Sequence, residues 1–406
     1  MITRIEIDGF KSFLDFRLDI PPFLALVGPN SSGKSNLLDA LTFVATAATR
    51  GVDAAVADVR GDARGLFRRR GDGSRVDRMT FALEFLLPAE FSSPSIRWRW
   101  EVRFAWAAPE GELEGITIET QRFVSLSSPD RVISSVEHKW VVPGPRPALQ
   151  YFPSSPKADW EVVNRIEYEL AQVRSLHLEA GSLRRASELG GPRHMDSTGW
   201  NLPNYLRFLA RETASENRPL GVVGEIKMHL VGLVREISDF EIVEDERRRD
   251  VRLEFASPYD QGLDAEFASD GTLRMLAILA TLHDRGTAAI EEPENGVFPE
   301  RLRQLLGLAR ELVTDHVEAA GRASDRRRQR QALFTSHSPV VLDAVPRENI
   351  AFLDMTTILE DGVASRVTRV RRLREDAGPV RVDGERWPRV TDSELDRFRA
   401  GVEEPV

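Results

Sequence analysis

The sequence has no cysteine, which excludes disulfide bonds and thiolate zinc sites and is usual for a cytoplasmic protein. Lysine is scarce, with 5 residues against 50 arginines, an imbalance that a GC-rich genome explains without reference to function. No apolar run is long enough to cross a bilayer, and the N-terminus begins an amphipathic strand instead of a signal peptide. The net charge is −9, so any contact with nucleic acid must come from a local basic surface.

At 406 residues the chain exceeds the size at which one core usually stops growing, so two lobes or a domain with an insertion are expected. Two strands are predicted within 2–20, and the unbroken apolar run 23–27 predicts a buried strand. A glycine-rich loop follows, and then a helix is predicted over 36–48.

The middle of the chain changes from strand-like to helix-like spacing. Residues 79–152 predict antiparallel β structure, and the strict alternation in 97–106 favours a half-buried strand with a solvated arginine face over a base-stacking surface. Helical spacing follows over 160–189 and 201–237, in stretches too short for a coiled-coil arm.

A phosphate-binding loop pattern follows the buried strand, with every fixed position filled. Its residues are Gly28, Pro29, Asn30, Ser31, Ser32, Gly33, Lys34 and Ser35. Backbone N–H groups of such a loop surround phosphates, and the next helix presents its positive end to them. The pattern assigns Lys34 to the β- and γ-phosphates of a nucleotide and the Ser35 hydroxyl to Mg²⁺.

Two adjacent carboxylates end a second short apolar strand, within 287–295. One of them, Glu291, can hold Mg²⁺, and the next, Glu292, can orient and polarise an attacking water. Alone, the pattern is equally typical of a solvated acidic turn. Together with a phosphate-binding loop it favours nucleotide hydrolysis.

His337 follows a third apolar strand, where ligands bind open α/β sheets, so a hydrogen bond to a γ-phosphate is favoured over a structural role. Ser269 or Asp270 predicts the N-cap of a helix that continues through Ala280. With Gly271 beside them, this helix start is either an anion-binding surface or an ordinary capped terminus. The residues alone leave both open.

In this order the motifs resemble those of ABC-type ATPase heads of the RecF, SMC and OLD group, most closely OLD-like heads. The matching segments are the N-terminal strand motif 5–13, the Walker A motif 28–40 with Asn36, the signature variant 269–272, the Walker B motif 291–295 and the His switch 335–339. The resemblance implies an α/β P-loop NTPase of the ABC-ATPase type, with an N-terminal antiparallel β subdomain and a helical insertion between the Walker A and signature motifs.

This resemblance sets the expected domain boundaries. They are 1–78 for the first part of the head, 79–155 for its antiparallel β region, 156–250 for the helical insertion, 251–370 for the second part of the head and 371–406 for an irregular tail.

The resemblance also implies a mechanism. Two protomers hold two ATP molecules with Mg²⁺, and the signature residues Ser269, Asp270 and Gly271 of one protomer cap the γ-phosphate bound by the Walker A motif of the other. Hydrolysis through Glu292 releases the pair, and His337 takes the place of the His switch. Expected partners are a second copy in a homodimer or a higher oligomer, a separately encoded effector such as a nuclease, and no membrane.

Several positions depart from the group. Glu291 stands where Asp is usual, and Phe298 where OLD-like heads commonly have His. A Q-loop glutamine is not identifiable, Gln121 and Gln150 being weak candidates. Only 69 residues follow His337, without the Glu and Asp pattern of a Toprim nuclease, so a fused nuclease is not supported.

Local arginine clusters are the candidate DNA contacts, although short charge runs are usually solvated surface. They are 68–70, 247–249, 326–330 and 366–374, and the loop around 322–330 is the strongest. The leading hypothesis is an ATP-gated subunit in bacterial anti-phage defence or DNA repair. The alternatives are an assembly scaffold with little hydrolysis and, disfavoured by the signature variant, a transporter ATPase subunit.

Overall fold

The structure is a computed structural model, and it describes residues 1–87, 96–107, 114–126, 132–141, 147–151, 157–259, 261–313, 329–373 and 389–400. Its strands are β1 (Ile2–Asp8), β2 (Phe16–Asp19), β3 (Phe23–Val27), β4 (Arg78–Leu87), β5 (Ile96–Ala107), β6 (Gly115–Ser125), β7 (Val132–Val141), β8 (Val173–Leu176), β9 (Ser187–Glu188), β10 (Asp239–Asp245), β11 (Asp250–Ala256), β12 (Gln261–Asp264), β13 (Gly286–Glu291), β14 (Arg330–Ser336), β15 (Ile350–Glu360) and β16 (Val363–Arg372).

Its helices are α1 (Lys34–Thr49), α2 (Val52–Ala57), α3 (Lys157–Leu170), α4 (Ala180–Leu183), α5 (Leu202–Thr213), α6 (Val223–Leu233), α7 (Asp270–His283), α8 (Pro299–Leu312), α9 (Val340–Ala344) and α10 (Asp392–Arg399). Among the described residues, none of these helices has the length and apolar character needed to cross a membrane.

The chain divides into two compact units. Unit 1 contains Met1–Val173, Thr314–Gln329 and Pro346–Val406, and unit 2 contains Arg174–Val313 and Arg330–Val345. Helix α3 belongs to unit 1, where it packs on α1 and β4.

Unit 1 is built around an antiparallel sheet in the order β2-β1-β4-β5-β6-β7. The alternation predicted for β5 is confirmed: its even-numbered residues from Trp98 to Phe104 are buried, whereas Arg99 on the opposite face pairs with Glu6 at 2.5 Å. Phe43 of α1 packs against Phe81 and Phe104 of this sheet, with ring centroids 5.7 and 5.3 Å apart. This aromatic core fixes α1, and with it the loop that precedes α1.

A second group of strands in unit 1 carries the glycine-rich loop 28–33. β15 pairs parallel to β3, with Ile350 opposite Ala25, and antiparallel to β16. All five residues of β3 are buried, as the unbroken apolar run predicted.

Unit 2 contains parallel strands and an antiparallel sheet. β13 pairs parallel to β14 and neighbours β8, while β11 lies between β10 and β12. α7 is buried along nearly its whole length, so the signature helix is a core element of this unit.

Two expectations differ from the structure. Residues 171–189 are not helical throughout, because β8 interrupts the helical spacing between α3 and α4. The tail after 371 was expected to be irregular, yet β16 continues to Arg372 and α10 forms over Asp392–Arg399. A capping box nucleates α10: Thr391 accepts from the Glu394 N–H and the Glu394 side chain accepts from the Thr391 N–H.

Stability at mildly acidic pH is expected to depend on His283, the last residue of α7. Its ring is 4% exposed, and its Nδ1 donates to the Leu279 carbonyl at 2.8 Å. Burial lowers the pKa of His283 from 6.5 to about 4. Below pH 6.5 the unfolded chain therefore binds more protons than the folded one, and stability falls as the pH drops towards 4.

The expected loss of unfolding free energy through His283 is about 2 kcal/mol between pH 7.5 and pH 5. Urea unfolding at both pH values measures it, and His283→Met, which cannot titrate, is expected to show a correspondingly smaller loss. An equal loss in the variant and the wild type would assign the pH dependence to other groups.

Candidate functional site

The loop between β3 and α1 has the backbone conformation of an anion-binding concavity. Ser31 and Gly33 both adopt left-handed conformations, with φ of 61° and 96°. Backbone N–H groups converge where such residues interrupt right-handed ones. Gly28 is required by space, because a Cβ there would lie 2.1 Å from the Leu353 carbonyl oxygen. The loop therefore has both the glycines and the curvature that phosphate binding needs.

Lys34, the first residue of α1, folds its side chain back over this loop. Its Nζ donates to the carbonyls of Gly28 at 2.7 Å and Pro29 at 2.8 Å. The side chain is buried, so its positive charge lies at the loop and not in solvent. Asn36, which is also predicted as a nucleotide contact, donates from Nδ2 to Ser12 Oγ at 2.9 Å.

In unit 2, Glu291 and Glu292 lie at the carboxyl end of β13, beside the end of β14. Glu291 is opposite Thr335 in the strand register and is buried. Glu292 comes next with φ of 46°, a left-handed conformation that is uncommon outside glycine. Its N–H donates to the Thr335 carbonyl at 3.0 Å, and its Oε2 accepts from Asn295 Nδ2 at 2.9 Å. Hydrogen bonds therefore hold both the backbone and the side chain of Glu292 in place.

His337 joins this group from the end of β14. Its Nδ1 lies 3.5 Å from Glu292 Oε1 and 3.5 Å from Glu294 Oε1. The Glu294 oxygen also accepts from Ser336 Oγ at 2.7 Å and from the His337 N–H at 3.0 Å. Glu294 therefore ties the His337 loop to the residues after β13.

The signature residues lie at the start of α7. Ser269 is the N-cap, and its Oγ accepts from the Thr272 N–H at 3.1 Å. Asp270 pairs with Arg184, whose Nη2 also donates to the Ala268 carbonyl at 2.8 Å. A side chain at position 271 would collide with the loop after β13, since a Cβ there would lie 2.4 Å from the Gly296 carbonyl oxygen. Gly271 is needed for this close packing.

Sequence reasoning missed three residues of this group. His177 Nδ1 lies 2.8 Å from Glu291 Oε2, and Arg184 and Glu294 hold the signature and His337 segments. His177 carries the same signal that identified His337, a polar side chain directly after a strand. That signal was hidden because the region of β8 has helical spacing.

The candidate residues of each unit have the chemistry that phosphate and Mg²⁺, the groups implied by the motifs, require. The concave backbone of 28–33 and the ammonium of Lys34 suit phosphate oxygens. Ser35 and Glu291 offer a hydroxyl and a carboxylate, the hard oxygen donors that Mg²⁺ prefers. Among the residues described, no group of three or more His, Asp or Glu side chains could hold a metal ion.

Both candidate Q-loop glutamines lie in unit 1, and Gln121 is committed to the antiparallel sheet. It is buried, accepts from Trp100 Nε1 at 3.3 Å and donates to the Ala148 carbonyl at 2.8 Å. Gln150 follows Ala148 in a short 3₁₀ turn and is exposed.

The arginine clusters differ in how far they are neutralised. Arg68 is buried and donates to both Glu360 oxygens, at 2.7 and 2.9 Å. Arg369 and Arg371 pair with Asp354, at 2.8 and 3.0 Å. The cluster at 247–249 is exposed at the β10–β11 turn. The cluster favoured from sequence, 322–330, falls outside the described residues except for its last two positions.

Comparison with known proteins identifies a family. A family model described as "AAA domain, putative AbiEii toxin, Type IV TA system" matches residues 23–343, more than three quarters of the chain. The chain is also similar to the chromosome partition protein Smc of Methanocaldococcus jannaschii, with 57% identity over 44 residues. Those residues are 11% of this chain and 4% of that protein, so the chain matches only a small fraction of this relative.

Two solved structures show the same fold. The SMC head bound to the C-winged helix domain of ScpA has a TM-score of 0.51 and 13% identity, covering 90% of this chain and 97% of that one. The SMC head domain with a coiled coil and joint from Pyrococcus yayanosii has a TM-score of 0.50 and 10% identity, covering 93% and 98%. The predicted fold class, an α/β ABC-type ATPase head with an antiparallel β region, is confirmed.

Proposed function

The chain belongs to this family of AAA domains, and we propose that it is an ATP-binding and ATP-hydrolysing head of the ABC type. The observation that carries the proposal is the concave, glycine-dependent loop between β3 and α1, with the buried ammonium of Lys34 folded over it. The left-handed residues at 31 and 33 support the proposal, because they give the loop the curvature in which backbone N–H groups converge on an anion.

The chain's residues take distinct roles in the proposal. Lys34 reaches the β- and γ-phosphates, and Ser35 and Glu291 hold Mg²⁺. When bound, Mg²⁺ neutralises charge that develops on the phosphate oxygens. Glu292 accepts a proton from the attacking water, and His337, 3.5 Å from it, donates a hydrogen bond to the γ-phosphate.

We also propose that a second copy of the chain completes the site. The N-terminus of α7 carries partial positive charge, which favours phosphate. Ser269, Asp270 and Gly271 stand at that terminus. In the proposal they cap the γ-phosphate bound by the partner, so that ATP links two heads and hydrolysis releases them.

Ser269 offers a test that separates capping of the helix from capping of the phosphate. Asp and Asn both cap helices as well as Ser does, so Ser269→Asp and Ser269→Asn should preserve α7. Only Asp places a negative charge against the phosphate, and we expect it to weaken ATP-dependent dimerisation at least about tenfold. Sedimentation velocity with ATP and Mg²⁺ measures this effect. Equal dimerisation of both variants would contradict capping by a second copy.

Magnesium-dependent release of phosphate from ATP tests the function as a whole. If the purified protein neither binds ATP nor releases phosphate, the proposal is wrong. If it dimerises with ATP without releasing phosphate, the scaffold alternative is favoured. A transporter subunit would instead require a membrane partner.

For the biological process we propose anti-phage defence or DNA repair, with a separately encoded effector such as a nuclease. This step is supported by the resemblance to RecF, SMC and OLD heads, and DNA contact through the exposed arginines at 247–249 belongs to it. The neighbouring gene provides the test. An adjacent nuclease would support the proposal, and an adjacent transmembrane transporter subunit would contradict it.

A further inference from the structure

His177 makes a contact that the roles above do not use. It directly follows β8, which neighbours β13 in the sheet. Its Nδ1 lies 2.8 Å from Glu291 Oε2, and because a carboxylate oxygen accepts, Nδ1 carries the proton. The imidazole is 64% exposed whereas the carboxylate is 7% exposed. An accessible ring therefore holds one oxygen of a buried acid.

The backbone around His177 is fixed independently of this contact. The His177 N–H donates to the Ser197 carbonyl at 2.8 Å, and the Glu179 N–H donates to the Thr198 carbonyl at 3.1 Å. Between them, the Leu178 carbonyl accepts from Arg274 Nη2 at 2.8 Å. The His177 ring therefore extends from a backbone segment that is held by hydrogen bonds. This lowers the entropy cost of holding the ring against Glu291.

The same segment also connects two motifs. Arg274 lies on the second turn of α7, the signature helix, and is buried. Its guanidinium interacts electrostatically with Asp270, Glu292 and Glu294. Consecutive residues, His177 and Leu178, thus contact the acid that ends β13 and a side chain of the signature helix.

Glutamate at position 291 has a particular need for such a partner. It has one more rotatable bond than the aspartate usual in the group that the motifs resemble, so its oxygens have more positions available. Holding Oε2 fixes the direction of Oε1, as outer hydrogen bonds commonly do for carboxylates that ligate metals.

We propose that His177 is a positioning residue that orients the Glu291 carboxylate for the magnesium ion of bound ATP. The proposal rests on the proposed function, which assigns Glu291 to the metal. The ring acts through Glu291 and touches neither substrate nor metal.

The test measures how much Mg²⁺ is needed for half-maximal binding of a fluorescent ATP analogue, so it does not depend on turnover. His177→Ala is expected to raise this concentration about tenfold. His177→Asn places an amide N–H close to the position of Nδ1 and is expected to remain within about threefold of the wild type. His194→Ala, at an exposed histidine of the same unit, is the matched control and should leave the value unchanged.

A shorter acid provides a second measurement. Glu291→Asp withdraws the carboxylate by about 1.5 Å, one carbon–carbon bond, from a ring whose backbone is braced. Adding His177→Ala to Glu291→Asp should therefore have little further effect, and the double-mutant cycle should show strong coupling. Thermal unfolding checks that each variant folds. Because the His177 side chain is exposed, its replacement is expected to leave the fold intact.

The outcomes distinguish failure of the His177 positioning role from failure of the proposed ATP-binding function. If the wild type does not bind ATP in a magnesium-dependent way, the proposed function fails and this role fails with it. If the wild type does so but His177→Ala matches it, or His177→Asn is as impaired as His177→Ala, the positioning role alone is overturned. Additive effects of His177→Ala and Glu291→Asp would also overturn it.

Discussion

Replacement of Glu292 by glutamine is expected to reduce phosphate release by about 10²- to 10⁴-fold, the usual contribution of a general base. Glutamine has nearly the same shape, and its amide oxygen can still accept from Asn295, which donates to Glu292 Oε2 at 2.9 Å. The loop should therefore be preserved while the proton acceptor is lost. We expect ATP to remain bound and the ATP-linked dimer to persist.

Phosphate release under saturating ATP and Mg²⁺, measured together with the mass of the complex, checks this prediction. Glu300→Gln on α8 makes the same chemical change at an exposed side chain of the same unit and should leave both quantities unchanged. Wild-type turnover in Glu292→Gln would assign the base to another residue.

Lys34→Ala is expected to remove measurable nucleotide binding, a loss of affinity of about 100-fold or more, because hydrogen bonds from a charged group to phosphate are lost. The change also removes the donor that bridges the carbonyls of Gly28 and Pro29. Both effects weaken the same loop, so this substitution should be the most damaging one for binding.

Titration with a fluorescent ATP analogue measures the loss, and circular dichroism confirms that the variant is folded. Lys227→Ala is the control, since Lys227 pairs with Asp239 at 2.9 Å in unit 2 and takes no part in the proposed site. Tight ATP binding by Lys34→Ala would remove the assignment of 28–35 as a nucleotide-binding loop.

The sequence predicted those parts of the fold whose signals are local and repeated. β5 alternates strictly, β3 is uniformly apolar, and α7 begins at a serine that caps it. Each of these patterns arises from neighbouring residues in the chain. β8 was missed because its four residues lie within a region of helical spacing, and its place is set by pairing with β13, a strand distant in the chain.

The candidate site was predicted one residue at a time but not as a set of contacts. The rule that polar residues at strand ends bind ligands singled out His337, which the structure places 3.5 Å from Glu292. It could not reveal that Glu294 anchors the His337 loop, because Ser336 and Glu294 are 42 positions apart. The helix α10 was missed for a different reason: its capping box was visible in the sequence, but the surrounding composition suggested an irregular tail.

The backbone at Glu292 has a consequence for the evolution and engineering of this protein. A left-handed conformation costs a residue with a side chain about 1 kcal/mol relative to glycine. Any selection for heat tolerance alone would therefore favour glycine at this position, and it would discard the proposed proton acceptor together with the strain. A more heat-resistant variant that retains the proposed ATP hydrolysis must gain its stability at other positions. At Glu292, thermal stability and turnover therefore oppose each other.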